Sequence, residues 1–173
     1  IRLLLPKFSK IPLIAHPVSF GIGQALRHSR PLLQERFFLY QGEKLFSCNL
    51  SRFLQKSGNK NCVLLKSFGD KSRYGDVEMG GNVGSSLPVC FEFNEDGRGS
   101  NDGFLTSGIY IFENSVFDHI SRNCSLEDDI LPELARNHNL SAVSLPGKFW
   151  DIEQISTGEI ESLKLSRDLL RPA

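Results

Sequence analysis

Apolar and polar positions alternate along the chain in short runs of two kinds. Phe37-Phe38-Leu39-Tyr40 is a compact apolar run, which predicts a buried strand; it stops at Gln41-Gly42 and then offers a carboxylate, Glu43. Further strands are predicted at residues 62–65, 74–79 and 140–145. Residues 89–93 alternate as a half-buried strand does, and residues 104–112 form the most strand-like segment of all. Residues 1–5 and 11–15 are short apolar runs, the second held to an edge or a strand start by Pro12. Helical spacing appears in residues 50–56, where Leu50, Phe53 and Leu54 share a face ahead of the breakers at 57–59. A breaker-rich loop over 16–24 leads into a helix over 25–29, limited by Pro31. Another helix is expected at 115–120. Ser125 and Asp128 stand in capping-box places ahead of Ile130, Leu131, Leu134 and Ala135. Residues 159–171 make a charged amphipathic C-terminal helix. Strands alternating with helices predict one α/β domain over residues 1–173, with a largely parallel sheet.

Composition narrows the picture without changing it. Hydrophobic residues make up 40% and charged residues 23%, as in ordinary globular proteins. Lys+Arg and Asp+Glu are both 20, and the basic residues are scattered. No global field favours nucleic acid or an anionic membrane, so neither is expected as a partner. No stretch reaches the about 20 apolar residues of a membrane-spanning helix. Cys48, Cys62, Cys90 and Cys124 stand far apart with no C-x-x-C pair, which argues against structural zinc and for reduced thiols of a cytoplasmic protein.

The acid after the first strong strand gives the chain its first candidate chemistry. In open α/β sheets ligands collect outside the carboxyl ends of the strands, so Glu43 is a candidate metal or catalytic position. A charged turn residue after a core strand is the alternative. Asp151 follows the aromatic pair Phe149-Trp150 and supplies a second carboxylate.

The order of several motifs then resembles one family. Phe20-Gly21-Ile22-Gly23-Gln24-Ala25-Leu26-Arg27-His28 resembles the L-G-T-G-G-A-L-R segment of sugar-1-phosphate nucleotidyltransferases. Gln41-Gly42-Glu43 falls in the place of that family's N-G-D, and Ser72-Arg73-Tyr74-Gly75-Asp76-Val77-Glu78 in that of S-R-Y-G-x-V-E. Phe93-Asn94-Glu95-Asp96 takes the F-x-E-K place, and Thr106-Ser107-Gly108-Ile109-Tyr110-Ile111-Phe112 that of N-A-G-I-Y-x-F. The run from Cys124 to Pro132 is similar to S-L-E-x-D-x-x-P, and Phe149-Trp150-Asp151-Ile152 to F-x-D-I-G-T-P. The resemblance covers residues 11–162 and is nearest in flavour to the mannose- and heptose-1-phosphate guanylyltransferases.

The resemblance implies a Rossmann-like fold of the nucleotide-diphospho-sugar transferase type, with a mostly parallel mixed sheet flanked by helices. It implies an N-terminally truncated, divergent relative, lacking the first βαβ unit and leaving a sheet edge open to aggregation or to a homo-oligomer. It also implies coupling of a nucleoside triphosphate, GTP favoured, to a sugar 1-phosphate, giving an NDP-sugar and pyrophosphate. Mg2+ would be held by Glu43 and Asp151. Gly21, Gly23, Gln24 and Ala25 would lie against the nucleobase, while Glu95, Thr106, Gly108 and Trp150 would serve the sugar.

Several departures fall on the chemistry. No G-G-x-G-T-R-L loop is present, Glu43 replaces the metal aspartate, Asp96 replaces a phosphate-binding lysine, and Thr106 replaces an asparagine. Impaired activity is therefore expected; a non-catalytic sugar-nucleotide-binding, regulatory or oligomerisation module is the alternative.

Overall fold

The computed structural model describes residues 21–68, 76–80, 89–94, 103–121 and 124–152. Helix α1 (Gly21–Ser29) is followed by a 3-10 turn at Arg30–Leu32, then strands β1 (Arg36–Tyr40) and β2 (Lys44–Phe46). Next come helix α2 (Leu50–Lys56) and strands β3 (Asn61–Phe68), β4 (Asp76–Gly80), β5 (Val89–Asn94) and β6 (Gly103–Glu113). Helix α3 (Leu131–Arg136), strand β7 (Leu140–Ser144) and strand β8 (Phe149–Asp151) complete the described chain.

Six strands form one mixed sheet in the order β1-β6-β3-β7-β5-β4, and β2 with β8 forms a separate two-stranded ladder. The parallel majority expected from the sequence is not found among the described residues. β3 and β7 pair in parallel, whereas β1–β6, β3–β6, β4–β5, β4–β6 and β5–β7 are antiparallel. The physical reason lies in β6, which runs opposite to both of its main neighbours. Parallel pairing needs a crossover of about a dozen residues or more, and the parallel pair, β3 and β7, is joined by the long stretch 69–139, which holds β4, β5, β6 and α3.

The apolar run Cys62-Val63-Leu64-Leu65 is buried because β3 is covered on both faces. Val63 and Leu65 join Tyr110, Phe112, Val116, Leu126, Ile130, Leu131 and Leu134 in one core, which α1 and α3 close. Cys62 and Leu64 join Phe53, Ile109, Ile111 and Val143 in a second core beneath α2. Each fully buried Leu, Ile or Phe contributes about 1.5–3 kcal/mol. Among the described residues no strand covers the outer side of β1, where Phe38 and Tyr40 are each 44% exposed.

Local chemistry explains the other differences. Residues 21–24 are helical rather than looped, because the start of α1 packs into the segment around Cys124. The helix expected at 115–120 is a 3-10 segment, Asn114–His119. Asn49 caps α2, its side chain accepting the Arg52 N–H. The Ser125 hydroxyl accepts the Asp128 N–H at 3.1 Å, as the capping box requires. The reciprocal acceptor is Asp129, whose Oδ2 takes the Ser125 N–H at 2.7 Å. Leu126–Ile130 is wound as a π-helix, and the wider turn brings the next acid back to the cap. Replacing Ser125 by alanine is expected to lower stability by about 1 kcal/mol, read from the urea midpoint. The strands expected at 1–5 and 11–15 and the helix at 159–171 lie outside the described residues.

Candidate active site

After β1 the chain is turned back at Gln41-Gly42-Glu43 by one main-chain and one side-chain bond. Lys44 N–H bonds the Gln41 carbonyl at 3.0 Å, and the Tyr40 hydroxyl donates to the Lys44 carbonyl. The Tyr40 ring meets Phe46 edge-on at 5.4 Å. The chain thereby enters β2, which pairs antiparallel with β8 in the register Lys44↔Asp151, Leu45↔Trp150 and Phe46↔Phe149. Ile152 N–H closes the ladder on the Glu43 carbonyl at 2.9 Å. Two carboxylates separated by more than a hundred positions in sequence are thus brought to one short ladder.

A lysine stands with them. Lys44 Nζ lies 2.5 Å from Asp151 Oδ2 and 3.8 Å from Glu43 Oε1. Asp151 is the more enclosed acid, its side chain 13% exposed against 39% for Glu43. The stem of Lys44 is also fixed. Gly108 adopts φ +77°, and a Cβ there would lie 2.7 Å from Lys44 Cγ and 2.6 Å from Gln41 Oε1. The space over Gly108 is therefore taken by Gln41 and Lys44. Gln41 N–H bonds the Gly108 carbonyl at 2.9 Å, and its side-chain amide donates to Glu127 at 2.6 Å.

The field of this cluster reaches its neighbours. Lys66, on β3, has its pKa lowered by burial and by Lys44, with Asp151 pulling the other way. The Tyr110 phenol is pushed up by burial first, then by Glu127 and Glu43. Lys44 and Lys66 were not expected at the site, and Gln41 and Glu127, although inside matched motifs, were given no role there. The available signal was the charge between Glu43 and Leu45-Phe46, because K-L-F matches F-W-D in reverse as an antiparallel ladder.

The remaining expected residues fall in two places. Thr106 and Gly108 lie two apart on β6, and Trp150 is half-buried on β8 between Phe149 and Asp151. Phe149 packs against the core beneath α2. Gly21, Gly23, Gln24 and Ala25 form the start of α1. A Cβ on Gly23 would meet Cys124 Sγ at 2.4 Å and the Cys124 carbonyl at 2.6 Å, and Gln24 Nε2 donates to the Ser121 carbonyl at 3.1 Å. Ala25 lines an apolar cleft of about 170 Å³ with Leu26, Leu33 and Phe37. The segment holding Cys124 continues to Glu127, so one stretch of chain touches both α1 and Gln41. Glu95 lies outside the described residues.

The divalent ion that the resemblance implies would need oxygen ligands gathered around it. Among the described residues no three His, Cys, Asp or Glu side chains gather as a cation cage. Mg2+ requires near-octahedral oxygen at about 2.0–2.1 Å. The Lys44 ammonium, 2.5 Å from Asp151 Oδ2, already occupies that oxygen and competes with such an ion for it. With Lys44 in this position the residues do not fit a magnesium ion.

The fold is shared with several solved structures of proteins that act on or bind nucleotides and sugars. HddC from Yersinia pseudotuberculosis, complexed with GMP-PN, aligns with a TM-score of 0.71 at 19% identity, covering 94% of this chain and 72% of that one. UDP-glucose pyrophosphorylase complexed with UDP-glucose aligns at 0.69 and 15% identity, covering 94% and 70%. In sequence the relatives include mannose-1-phosphate guanylyltransferases and the bifunctional protein GlmU. The mannose-1-phosphate guanylyltransferase catalytic subunit beta of Xenopus tropicalis is 28% identical over 146 residues, covering 78% of this chain and 38% of that protein. The bifunctional protein GlmU of Methanococcus aeolicus is 23% identical over 167 residues, covering 90% and 39%. The chain spans about two fifths of the length of the curated relatives it matches. No protein-family model matches it. No helix among the described residues is long and apolar enough to cross a membrane.

Proposed function

We infer that this chain is a nucleotidyltransferase-like domain that binds a nucleoside phosphate and a sugar phosphate, GTP and a GDP-sugar favoured, with turnover to NDP-sugar and pyrophosphate weak or absent in this form. The observation that carries the reading is the β2–β8 ladder, which brings Glu43 and Asp151 together beside β6 in a fold shared with proteins that act on such ligands. Impaired turnover is supported by Glu43 in place of aspartate and by Lys44 between the two acids. Phosphoryl transfer rests almost wholly on positioning and on neutralising charge, so such changes strike the chemistry before they strike binding. Magnesium, which the resemblance implies, would have to displace Lys44 from Asp151 before these acids could hold it.

The test pairs a melting shift with a turnover assay. GDP-mannose and GTP are expected to raise the melting temperature as RT ln(1 + [L]/Kd) requires. Pyrophosphate release from GTP and mannose 1-phosphate should stay near background. Absence of a shift with any nucleotide or nucleotide sugar overturns the binding reading. Brisk release of pyrophosphate overturns the impaired one.

A further inference from the structure

Lys44 is the residue of the site to which the sequence motifs give no role. Three independent constraints hold its ammonium in place. The ladder fixes its main chain opposite Asp151, the bare backbone of Gly108 seats its stem, and Asp151 and Glu43 face its head. A lysine head is a compact point charge on a flexible stem, and its charge acts on any anionic group brought to the ladder. Asp151 is enclosed enough that weakening the positive charge facing it would be costly.

We propose that Lys44 is the site's resident cation: tethered between Asp151 and Glu43, it takes the place of a divalent ion and receives a phosphoryl group of the ligand directly. The site thereby excludes Mg2+ and Mn2+ while Lys44 is present, and its phosphate-bearing ligands bind without a divalent metal. The ligand half of this proposal rests on the reading given above; the cation half stands on geometry alone. Lys66 lies in the same electrostatic field and adds positive charge on the β3 side.

Manganese binding to the full chain, followed by electron paramagnetic resonance, tests the cation half without any nucleotide. K44M keeps the apolar stem over Gly108 and removes the charge; it should bind Mn2+ at least about tenfold more tightly than the unaltered chain. K44R, which restores a cation, should behave as the unaltered chain. The double variant K44M/D151N should lose the gained affinity. Equal Mn2+ binding by the unaltered chain and K44M, whether strong or absent in both, overturns the proposal. For the ligand half, the melting shift with GDP-mannose should be the same in EDTA as in Mg2+, and a shift that requires Mg2+ overturns it. No shift in either condition counts against the sugar-nucleotide reading, and the manganese comparison still decides the role of Lys44.

Discussion

Replacing Gly23 by valine is expected to cost the fold about 3 kcal/mol, read as a fall in the urea midpoint. The reason is geometric. A Cβ at this position would stand 2.6 Å from the Cys124 carbonyl and 2.4 Å from Cys124 Sγ, with Ile130 Cδ1 at 3.3 Å. The sulfur could turn away, but the carbonyl belongs to the backbone and moves only with its segment. That segment leads into the Ser125 cap and the buried Leu126 and Ile130, so a displacement spreads into the core. Alanine at Gly23 should cost less, because about 1 kcal/mol of helix propensity is regained. The pair separates two reasons for a glycine here. Were Gly23 small only to admit a nucleobase, alanine would stabilise the free protein while weakening its binding. A loss of stability with alanine in the absence of ligand assigns the glycine to packing, and an unchanged or raised midpoint for valine refutes the contact.

Gly23 also shows how far the sequence could be read. Its motif was legible, and its place near the start of a helix nearly so. That the glycine meets Cys124 was not, since the contact joins positions about a hundred residues apart. The strands were legible for a simple reason. Phe37 to Tyr40, Cys62 to Leu65 and Phe104 to Phe112 are apolar runs whose burial is local in pattern. Their direction was not legible, because a run of apolar residues reads the same in either orientation. The pairings of β6 with β1 and β3, and of β5 with β4 and β7, fix the antiparallel majority. At the candidate site the resemblance pointed to Glu43 and Asp151, and the structure brings them to one ladder. Lys44 was hidden because a single charge after an acid is ordinary on any surface. It becomes informative only once β2 and β8 set it against Asp151. Gln41 and Glu127 lay inside matched motifs, but their 2.6 Å contact joins segments far apart in sequence and was not legible.

The second large effect is an alkaline loss of stability centred on Cys62. This thiol lies on β3 with no exposed surface, and burial pushes its pKa up to about 11, from 9.0 when exposed, although Ser141 and Arg36 pull it partly back. The folded state therefore keeps a proton that the unfolded chain gives up earlier. Stability is fully present below pH 9 and is lost as the pH rises through about 11. A gap of two pH units corresponds to about 3 kcal/mol once both limits are passed. Tyr110 and Tyr40 are raised as well, both chiefly by burial, so their contributions have the same sign and begin above the ordinary phenol value. Cys62→Ala isolates the thiol, since it leaves both phenols in place. Urea unfolding at a series of pH values should show the unaltered chain losing stability more steeply than Cys62→Ala between pH 9 and pH 11. The variant starts lower at neutral pH, because removing the sulfur leaves a small void in a close-packed core. The two curves should therefore converge as the thiol titrates. Curves that stay parallel through that range would place the Cys62 proton outside the energetics of the fold.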